Sequence, residues 1–233
     1  IEDPMSFVLD NVVGPCNILE FARTQKNLKM FVYFSTDEVF GPAPPGVNYD
    51  EYDRYNSTNP YSATKAGGEE LAVAYQNTFK VPVVITHTMN VFGERQHFEK
   101  YIPKCINKIR NDETIEIHSN ASKDQPGSRY YIHAEDVADA LVFVMRLEKF
   151  GKFNIVGKEE VDNLTLARLI ASALGRDSFK YELVDFHSSR PGHDLRYALS
   201  GKRLAELGWE PKKSVRERIN EVVSWSLEHP EWL

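Results

Sequence analysis

The sequence has little cysteine and no clustered metal ligands. Cys16 and Cys105 are the only cysteines among its 233 residues, and its seven histidines are scattered along the chain. Two cysteines so far apart form no disulfide framework, so we expect reduced thiols. Because no Cys and His residues cluster at zinc-ligand spacing, we also expect no metal site.

Long apolar runs and an excess of positive charge are absent as well. No apolar stretch is long enough to cross a bilayer, and 28 Lys and Arg residues against 34 Asp and Glu residues give a net charge of −6. Nucleic-acid binders usually show a basic excess instead. The first residues, IEDPMSF, resemble neither a signal peptide nor a transit peptide. We therefore expect a cytoplasmic protein with no membrane and no nucleic-acid partner.

Short apolar segments alternate with amphipathic ones, which predicts an α/β fold with a parallel sheet. The spacing predicts helices over 5–25, 59–79, 98–110, 135–147, 164–175, 200–208 and 214–229. It predicts strands over 29–35, 81–87, 114–119, 153–157 and 180–186. The last third of the chain is less regular, and we interpret it as a smaller lobe. A loop as long as the one over 41–60 is usually functional.

A group of polar residues follows the first predicted strand. Ser35, Thr36, Asp37 and Glu38 come directly after the apolar segment, and ligands of open α/β sheets bind beyond the carboxyl ends of the strands. A hydroxyl beside two adjacent carboxylates is a candidate acid and base set. A purely structural role, in which Ser or Asp caps the next turn, fits the same pattern equally well.

Tyr61 and Lys65 are four residues apart at the start of the predicted helix 59–79, so they share one helix face. A nearby ammonium favours the tyrosinate, which predicts a lowered pKa for Tyr61 and a role as a base near neutral pH. One such pair is about what chance gives in this composition. Its position after the long loop and the polar strand end favours the functional interpretation.

These motifs resemble those of the extended short-chain dehydrogenases/reductases. Within that superfamily the chain is most similar to the nucleotide-sugar 4,6-dehydratases, above all those that act on dTDP-glucose. The segments that carry the resemblance are FSTDEVFG, NPYSATKAGGEEL, SRYYIHAEDVADAL, FNIVG and RPGHDLRYALSGKRLAELGW. Epimerases of the superfamily usually lack the Asp-Glu pair, so STDEVFG together with YSATK is fairly specific.

The resemblance implies a Rossmann-like sheet, NAD as the cofactor and a nucleotide sugar as the substrate. By the family's pattern, Tyr61 removes the proton of the sugar 4-hydroxyl with the help of Lys65, and Thr36 hydrogen-bonds near that hydroxyl. Glu38 would then take the C5 proton, and Asp37 would protonate the departing 6-hydroxyl. The implied product is a 4-keto-6-deoxy sugar nucleotide. The residues that the pattern implies for NAD contact are Ser35, Tyr61 and Lys65.

Five further residues match substrate-binding positions of the family: Asn90, Lys100, Arg129, Arg190 and His193. The resemblance implies that Asn90 and Lys100 lie near the diphosphate and that Arg129 grips phosphate, for which a guanidinium fork is well suited. Arg190 and His193 belong to the RPGHD motif that contacts the nucleotide. Each basic residue in this group can instead be a solvated surface charge.

The largest departure from the family pattern is an absence. No strand followed by GxxGxxG is present, although that turn holds the NAD pyrophosphate in the family. We expect that this N-terminal glycine-rich part is missing from the chain. Residues 1–97 would then be the C-terminal part of the NAD-binding domain with the catalytic residues. Residues 98–233 would be mainly a nucleotide-sugar-binding lobe, with about 130–156 returning to the Rossmann domain.

The chain also departs from the dTDP-glucose pattern at smaller sites, and three alternative functions fit its motifs. NVFG at 90–93, RYY at 129–131, His118 and the loop 119–128 differ from the dTDP-glucose pattern, which favours an altered nucleotide preference, for example UDP over dTDP. The nearest enzymatic alternatives are an NAD-dependent nucleotide-sugar epimerase and a UDP-glucuronate decarboxylase. A non-catalytic nucleotide-sugar-binding fragment without the cofactor cradle is the alternative from another class. By resemblance we also expect a homodimer formed through helices 5–25 and 59–79.

Overall fold

The computed structural model describes residues 3–186 and 195–233. The strands are β1 (Phe31–Thr36), β2 (Val83–Thr88), β3 (Val91–Phe92), β4 (Ile115–Ser119), β5 (Ser128–Tyr130), β6 (Ile132–His133), β7 (Gly151–Ile155), β8 (Glu160–Asp162) and β9 (Tyr181–Asp185). The α-helices are α1 (Pro4–Val8), α2 (Gly14–Ala22), α3 (Pro60–Phe79), α4 (Tyr101–Arg110), α5 (Ala134–Leu147), α6 (Asn163–Ala173), α7 (Lys202–Glu206) and α8 (Val215–Glu228). A π-helical turn covers Leu9–Val13, and 3₁₀ turns cover Asp37–Phe40 and Pro230–Trp232.

The predicted α/β class is confirmed, and the long predicted segments lie within a few residues of the observed elements. The sequence pattern misses β3, β5, β6 and β8. These strands have only two or three residues each, which is too short to show an alternation of apolar and polar positions.

The chain forms two compact units. The first comprises Ile1–Met89, Asp139–Ile155 and Tyr197–Trp209, and the second comprises Asn90–Ala138, Val156–Arg196 and Glu210–Leu233. The polar strand end and the Tyr61–Lys65 pair both belong to the first unit. The division of the whole protein into an NAD-binding and a sugar-binding domain stays a prediction.

The first unit is built on a three-stranded parallel sheet in the order β1-β2-β7. Phe31 lies opposite Val83 and Thr36 lies opposite Thr88, so β1 and β2 end at the same edge. The strands are rich in β-branched and aromatic residues, which suits a sheet buried between helices. The core between this sheet and helices α2 and α3 is made by Leu19, Ala22, Tyr33, Ala72, Tyr75, Val81, Val83 and Ile85.

The predicted helix 5–25 is interrupted by the π-helical turn, in which the Gly14 amide bonds to the Leu9 carbonyl. Pro15 explains the interruption, because proline has no amide to donate and its ring clashes with the carbonyl four residues earlier. That carbonyl belongs to Asn11, and it approaches Gly68 of α3 closely. The wide turn therefore fits the first helical segment against the helix that carries Tyr61 and Lys65.

The second unit contains three strand pairs. β4 pairs with β9 and β3 pairs with β6 in parallel, whereas β5 and β8 are antiparallel, which the alternating pattern does not indicate. Helices α4, α6 and α8 pack their apolar faces on a core that includes Ile102, Ile106, Ile117, Leu166, Ile170 and Ile219. No helix within residues 3–186 and 195–233 is long and apolar enough to cross a membrane.

Candidate active site

The polar strand end forms a short, well-defined turn. Thr36 closes β1, and its side chain accepts a hydrogen bond from the Glu38 amide at 3.3 Å, which begins the 3₁₀ turn. The Thr36 hydroxyl also donates to the Asp37 carboxylate at 3.0 Å. Thr36 and Asp37 are buried, and Glu38 is half-buried. A side chain does cap this turn, but it is Thr36 and not the predicted Ser or Asp. Asp37 and Glu38 both stay at the edge of the sheet.

Asn59 connects this turn to the start of α3. Its side-chain oxygen accepts a hydrogen bond from the Ser62 amide at 2.9 Å and so caps the helix. Its side-chain nitrogen donates to the Glu38 carboxylate, also at 2.9 Å. Pro60 follows in the first helical turn, where its missing amide costs nothing. One amide side chain thus caps the helix and contacts a candidate catalytic carboxylate.

Tyr61 lies beside the same turn. Burial raises the pKa of Tyr61, and the carboxylates of Glu38 and Asp37 raise it further, whereas a side-chain hydrogen bond with Thr36 lowers it. The prediction that Lys65 lowers the pKa of Tyr61 is therefore wrong for this structure. The reason is geometric, because two carboxylates face the phenol while the ammonium is directed to a backbone carbonyl of β1.

Lys65 is held against β1 on two sides. Its Nζ donates to the Phe34 carbonyl at 2.5 Å and lies 4.6 Å from the centroid of the Tyr33 ring. The Tyr33 hydroxyl in turn donates to the Lys65 carbonyl at 3.1 Å. Burial lowers the pKa of the Lys65 ammonium. Among the described residues its Nζ makes no other hydrogen bond, so two of its three donors are available to a ligand.

Ser35 supplies a further group at this edge. Its hydroxyl is buried and has no hydrogen-bond partner in the part of the chain that the structure describes. Buried hydroxyls are normally satisfied, so an orphaned one suggests a place for a ligand. The hydroxyl of Ser35 and the spare donors of Lys65 fit a group rich in hydroxyls, such as the ribose of a dinucleotide.

A network of charged groups is buried one helical turn beyond Lys65. Glu69 is fully buried, contacts His87 Nε2 at 3.1 Å through both oxygens and pairs with Lys152 Nζ at 2.9 Å. Burial alone would raise the pKa of Glu69, but the hydrogen bond and charge of His87 and the charge of Lys152 outweigh it and lower the pKa. Because i, i+4 and i+8 share a helix face, Tyr61, Lys65 and Glu69 all point to the sheet.

The same network fastens the long loop 41–59 to the sheet. The Tyr55 hydroxyl donates to Glu69, and Glu51 accepts a hydrogen bond from the Asn154 amide at 3.0 Å. The Asn154 side chain donates to the Tyr49 carbonyl at 3.0 Å and faces His87 at 2.9 Å. Since this loop leads into Asn59, the contacts fix the chain just before the candidate site.

The predicted substrate residues that the structure describes belong to the second unit. Asn90 and Lys100 are exposed residues of the second unit. Arg129 is half-buried there and donates to the carbonyls of Ser128 and Leu195, both at 2.6 Å. Arg190 and His193 lie outside the described residues. The structure therefore brings together the residues predicted for catalysis and leaves those predicted for the nucleotide as predictions.

Sequence reasoning missed the two groups that support the site. The capping box that starts at Asn59 is visible in NPYS, but its contact with Glu38 has no sequence signal. Glu69 continues the spacing of Tyr61 and Lys65, which was a usable signal for a buried acid. Glu69 lies on α3, whereas its partners His87 and Lys152 lie on β2 and β7. No local sequence pattern therefore links the three residues.

The comparisons with known proteins agree with these motifs. The family model described as GDP-mannose 4,6 dehydratase matches residues 1–222. A trifunctional UDP-glucose 4,6-dehydratase/UDP-4-keto-6-deoxy-D-glucose 3,5-epimerase/UDP-4-keto-L-rhamnose-reductase of Arabidopsis thaliana is 33% identical over 229 residues, which are 97% of this chain and 33% of the plant protein. A low-salt glycan biosynthesis protein of Haloferax volcanii is 37% identical over 222 residues, 95% of this chain and 69% of that protein.

A solved structure agrees over the whole chain. The dTDP-glucose 4,6-dehydratase of Streptomyces venezuelae, determined with NAD and TYD bound, superposes with a TM-score of 0.87 at 30% identity. The match covers 100% of this chain and 70% of that one. The chain therefore spans about a third of the plant relative and about 70% of the bacterial enzyme.

Proposed function

The chain belongs to the GDP-mannose 4,6-dehydratase family, and from that premise we propose that the full protein removes water from a nucleotide-activated glucose, with NAD as its cofactor. The substrate is dTDP-glucose or UDP-glucose, and the product is the 4-keto-6-deoxy sugar nucleotide, which makes the enzyme a hydro-lyase. The observation that carries the proposal is the pair of carboxylates, Asp37 and Glu38, beside Tyr61 at the carboxyl end of β1.

The first step is oxidation of the sugar at C4. NAD, when bound, supplies the electron acceptor for this step and the donor that later reduces C6. Without the cofactor the raised pKa keeps Tyr61 protonated. The positive charge of the oxidised cofactor would favour the tyrosinate, which accepts the proton of the 4-hydroxyl, and Thr36, which hydrogen-bonds with Tyr61, orients that hydroxyl. Lys65 and Ser35 would hold hydroxyl groups of the cofactor with the donors that the fold leaves available.

The second step is elimination of water across C5 and C6. The 4-keto group acidifies the C5 proton, which Glu38 removes, and the electron pair of the C5–H bond forms the C5–C6 double bond. The C6–O bond breaks, and Asp37, which has to enter this step in its protonated form, gives its proton to the departing hydroxyl, which leaves as water. An epimerase needs neither group, so the two adjacent carboxylates favour the dehydratase.

The residues assigned to the nucleotide belong to the second unit. We assign Asn90, Lys100 and Arg129 to the diphosphate and Arg190 and His193 to the nucleoside, as the family's pattern implies. The base is either thymine or uracil, since the Streptomyces enzyme is a dTDP-glucose dehydratase and the plant relative acts on UDP-glucose. The departures in NVFG and RYY favour uracil. Turnover of an equimolar mixture that favours dTDP-glucose would refute this preference.

The decisive experiment is product analysis with the full-length protein and its Asp37→Asn variant. The wild type is expected to convert one of the two nucleotide sugars to a product lighter by one water, with a new C6 methyl signal by NMR. Asp37→Asn is expected to lower dehydration by about 100-fold, in the usual range for loss of a general acid, and to retain reduction of NAD on substrate addition. A product of unchanged mass would identify an epimerase, and release of carbon dioxide from UDP-glucuronate would identify a decarboxylase.

The partner we propose is a second copy of the chain. The first helical segment exposes a series of apolar side chains: Met5, Leu9, Val13, Ile18 and Phe21, each between 44% and 66% exposed. An apolar stripe of this kind on a soluble protein usually marks an interface. The stripe lies on the helical segment that packs against α3, which supports a homodimer formed through these helices.

A further inference from the structure

We propose that Asn59 is a positioning residue for the dehydration step, because it orients the base Glu38 and anchors the helix of Tyr61 with the same amide. This inference rests on the proposed function and deepens it. Asn59 is buried, with 8% of its surface exposed. Its oxygen accepts from the Ser62 amide and its nitrogen donates to Glu38 Oε2, both at 2.9 Å.

The two contacts fix the orientation of the amide. A helix N-terminus presents amide donors, which need an acceptor, and a carboxylate needs a donor. Among the usual capping residues, serine and threonine accept well but carry only one hydroxyl, and aspartate would set a second carboxylate against Glu38. Asparagine is the capping residue that offers an acceptor and a separate donor.

These contacts also link Asn59 to Tyr61 through Glu38 and Thr36. Glu38 donates its amide to the Thr36 side chain at 3.3 Å, and Thr36 hydrogen-bonds with Tyr61. Tyr61 follows Asn59 by two residues on the helix that Asn59 caps. A displacement of Asn59 therefore moves the base of the elimination relative to the base of the oxidation.

The hydrogen bond from Asn59 engages only one oxygen of the Glu38 carboxylate. Asn59 holds Oε2 of Glu38, and within the described residues Oε1 accepts no hydrogen bond. Oε1 is therefore the oxygen left available to take the C5 proton, and the hydrogen bond to Oε2 sets the direction of the carboxylate. A freely rotating carboxylate would present the same oxygen for only part of the time, which slows proton removal without affecting sugar binding.

The test compares three variants of the full-length protein. Asn59→Ser keeps the helix cap but removes the side-chain donor to Glu38. Asn59→Asp keeps the shape and the cap but replaces the attraction to Glu38 with repulsion between two carboxylates. Ser214→Ala is the control, because it removes a similar capping box at α8, away from Glu38 in the sequence. Two steps are measured separately. Exchange of the C5 proton of the 4-keto-6-deoxy product with deuterated water reports on Glu38, and single-turnover absorbance of the reduced cofactor reports on Tyr61.

Asn59→Ser is expected to slow C5 exchange by roughly 10-fold or more, the range for loss of a hydrogen bond to a charged group, and to change the oxidation rate by less than about 3-fold. Asn59→Asp is expected to slow C5 exchange at least as much and to keep the oxidation rate within the same range, since it keeps the cap but sets a second carboxylate against Glu38. Ser214→Ala should leave the ratio of the two rates unchanged.

Three outcomes would overturn the inference in different ways. C5 exchange at the wild-type rate in Asn59→Ser would make Asn59 a helix cap alone. An equal loss of both rates in Asn59→Ser and in Asn59→Asp would show a general loss of structure. A wild-type protein that forms no dehydrated product would overturn the proposed function and this inference with it, and the wild-type assay reveals this before any variant is made.

Discussion

Replacing Gly68 with alanine should destabilise the protein, although alanine is normally the better helix former. Gly68 lies inside α3, and a Cβ atom added there would sit 2.1 Å from the Asn11 carbonyl oxygen and 2.4 Å from the Tyr33 hydroxyl oxygen. Neither distance is compatible with non-bonded atoms. One of the obstructing atoms belongs to the backbone, so the π-helical turn and α3 have to move apart.

The expected loss of stability follows from three contributions. Helix propensity favours alanine over glycine by about 1 kcal/mol. Overpacking a tight site costs about 1–3 kcal/mol, and displacement of the Tyr33 hydroxyl from the Lys65 carbonyl costs about 1 kcal/mol more. The balance is a loss of about 1–3 kcal/mol in the free energy of unfolding.

The adjacent glycine provides the control. A Cβ atom at Gly67 would meet only Val12 Cγ2 at 3.5 Å, which is an ordinary contact. Gly67→Ala should therefore gain up to about 1 kcal/mol from helix propensity alone. Urea unfolding of the two full-length variants is expected to separate them by about 1–4 kcal/mol, with Gly68→Ala the less stable. Equal midpoints and slopes would refute the close approach of the π-helical turn to α3.

Two further predictions concern the buried network and the exposed apolar stripe. Glu69→Gln is expected to lower the free energy of unfolding at neutral pH by about 3–5 kcal/mol, because it leaves His87 and Lys152 without their buried partner. Since folding lowers the pKa of Glu69 from 4.5, this contribution is complete above that pH and is lost as the pH falls through the folded-state value. The gap between variant and wild type in urea unfolding should therefore narrow in acid, and a constant gap would contradict the assignment. Leu9→Glu is expected to convert the proposed dimer to a monomer in sedimentation velocity, whereas Met145→Glu, a similarly exposed site on α5, should not. A wild-type monomer would refute the proposed dimer, and a dimer in both variants would place the interface elsewhere.

The elements of the first unit could be predicted because their signals are local. The apolar run that forms β1 and the spacing of Tyr61 and Lys65 on α3 need only the period of a strand or a helix. Pro15 also signals an interrupted helix, but the π-helical form of the interruption depends on its fit against Gly68. That fit involves residues more than 50 positions apart, beyond the reach of any periodic pattern.

The pKa of Tyr61 shows where the same local reasoning fails. Helical spacing brings Lys65 to the same face as Tyr61, and from the sequence alone the ammonium is the nearest charge to consider. In the fold, β1 offers the ammonium a backbone carbonyl, and the 3₁₀ turn after β1 places Asp37 and Glu38 beside the phenol. The sign of the shift is thus decided by the strand packed against the helix, and not by the helix that carries both residues.

Asn59 shows how one residue can be half predictable. The segment NPYS predicts its capping role, because an asparagine before a proline in the first helical turn is a local signal of a helix start. Its hydrogen bond to Glu38 joins residues 21 positions apart and exists only because Thr36 turns the chain at the end of β1. A serine at this position would give the same helix prediction and the same helix. The hydrogen bond to Glu38 distinguishes asparagine from serine at this cap, so a capping residue that carries a donor as well as an acceptor should be compared with the carboxylates around it in any site of this design.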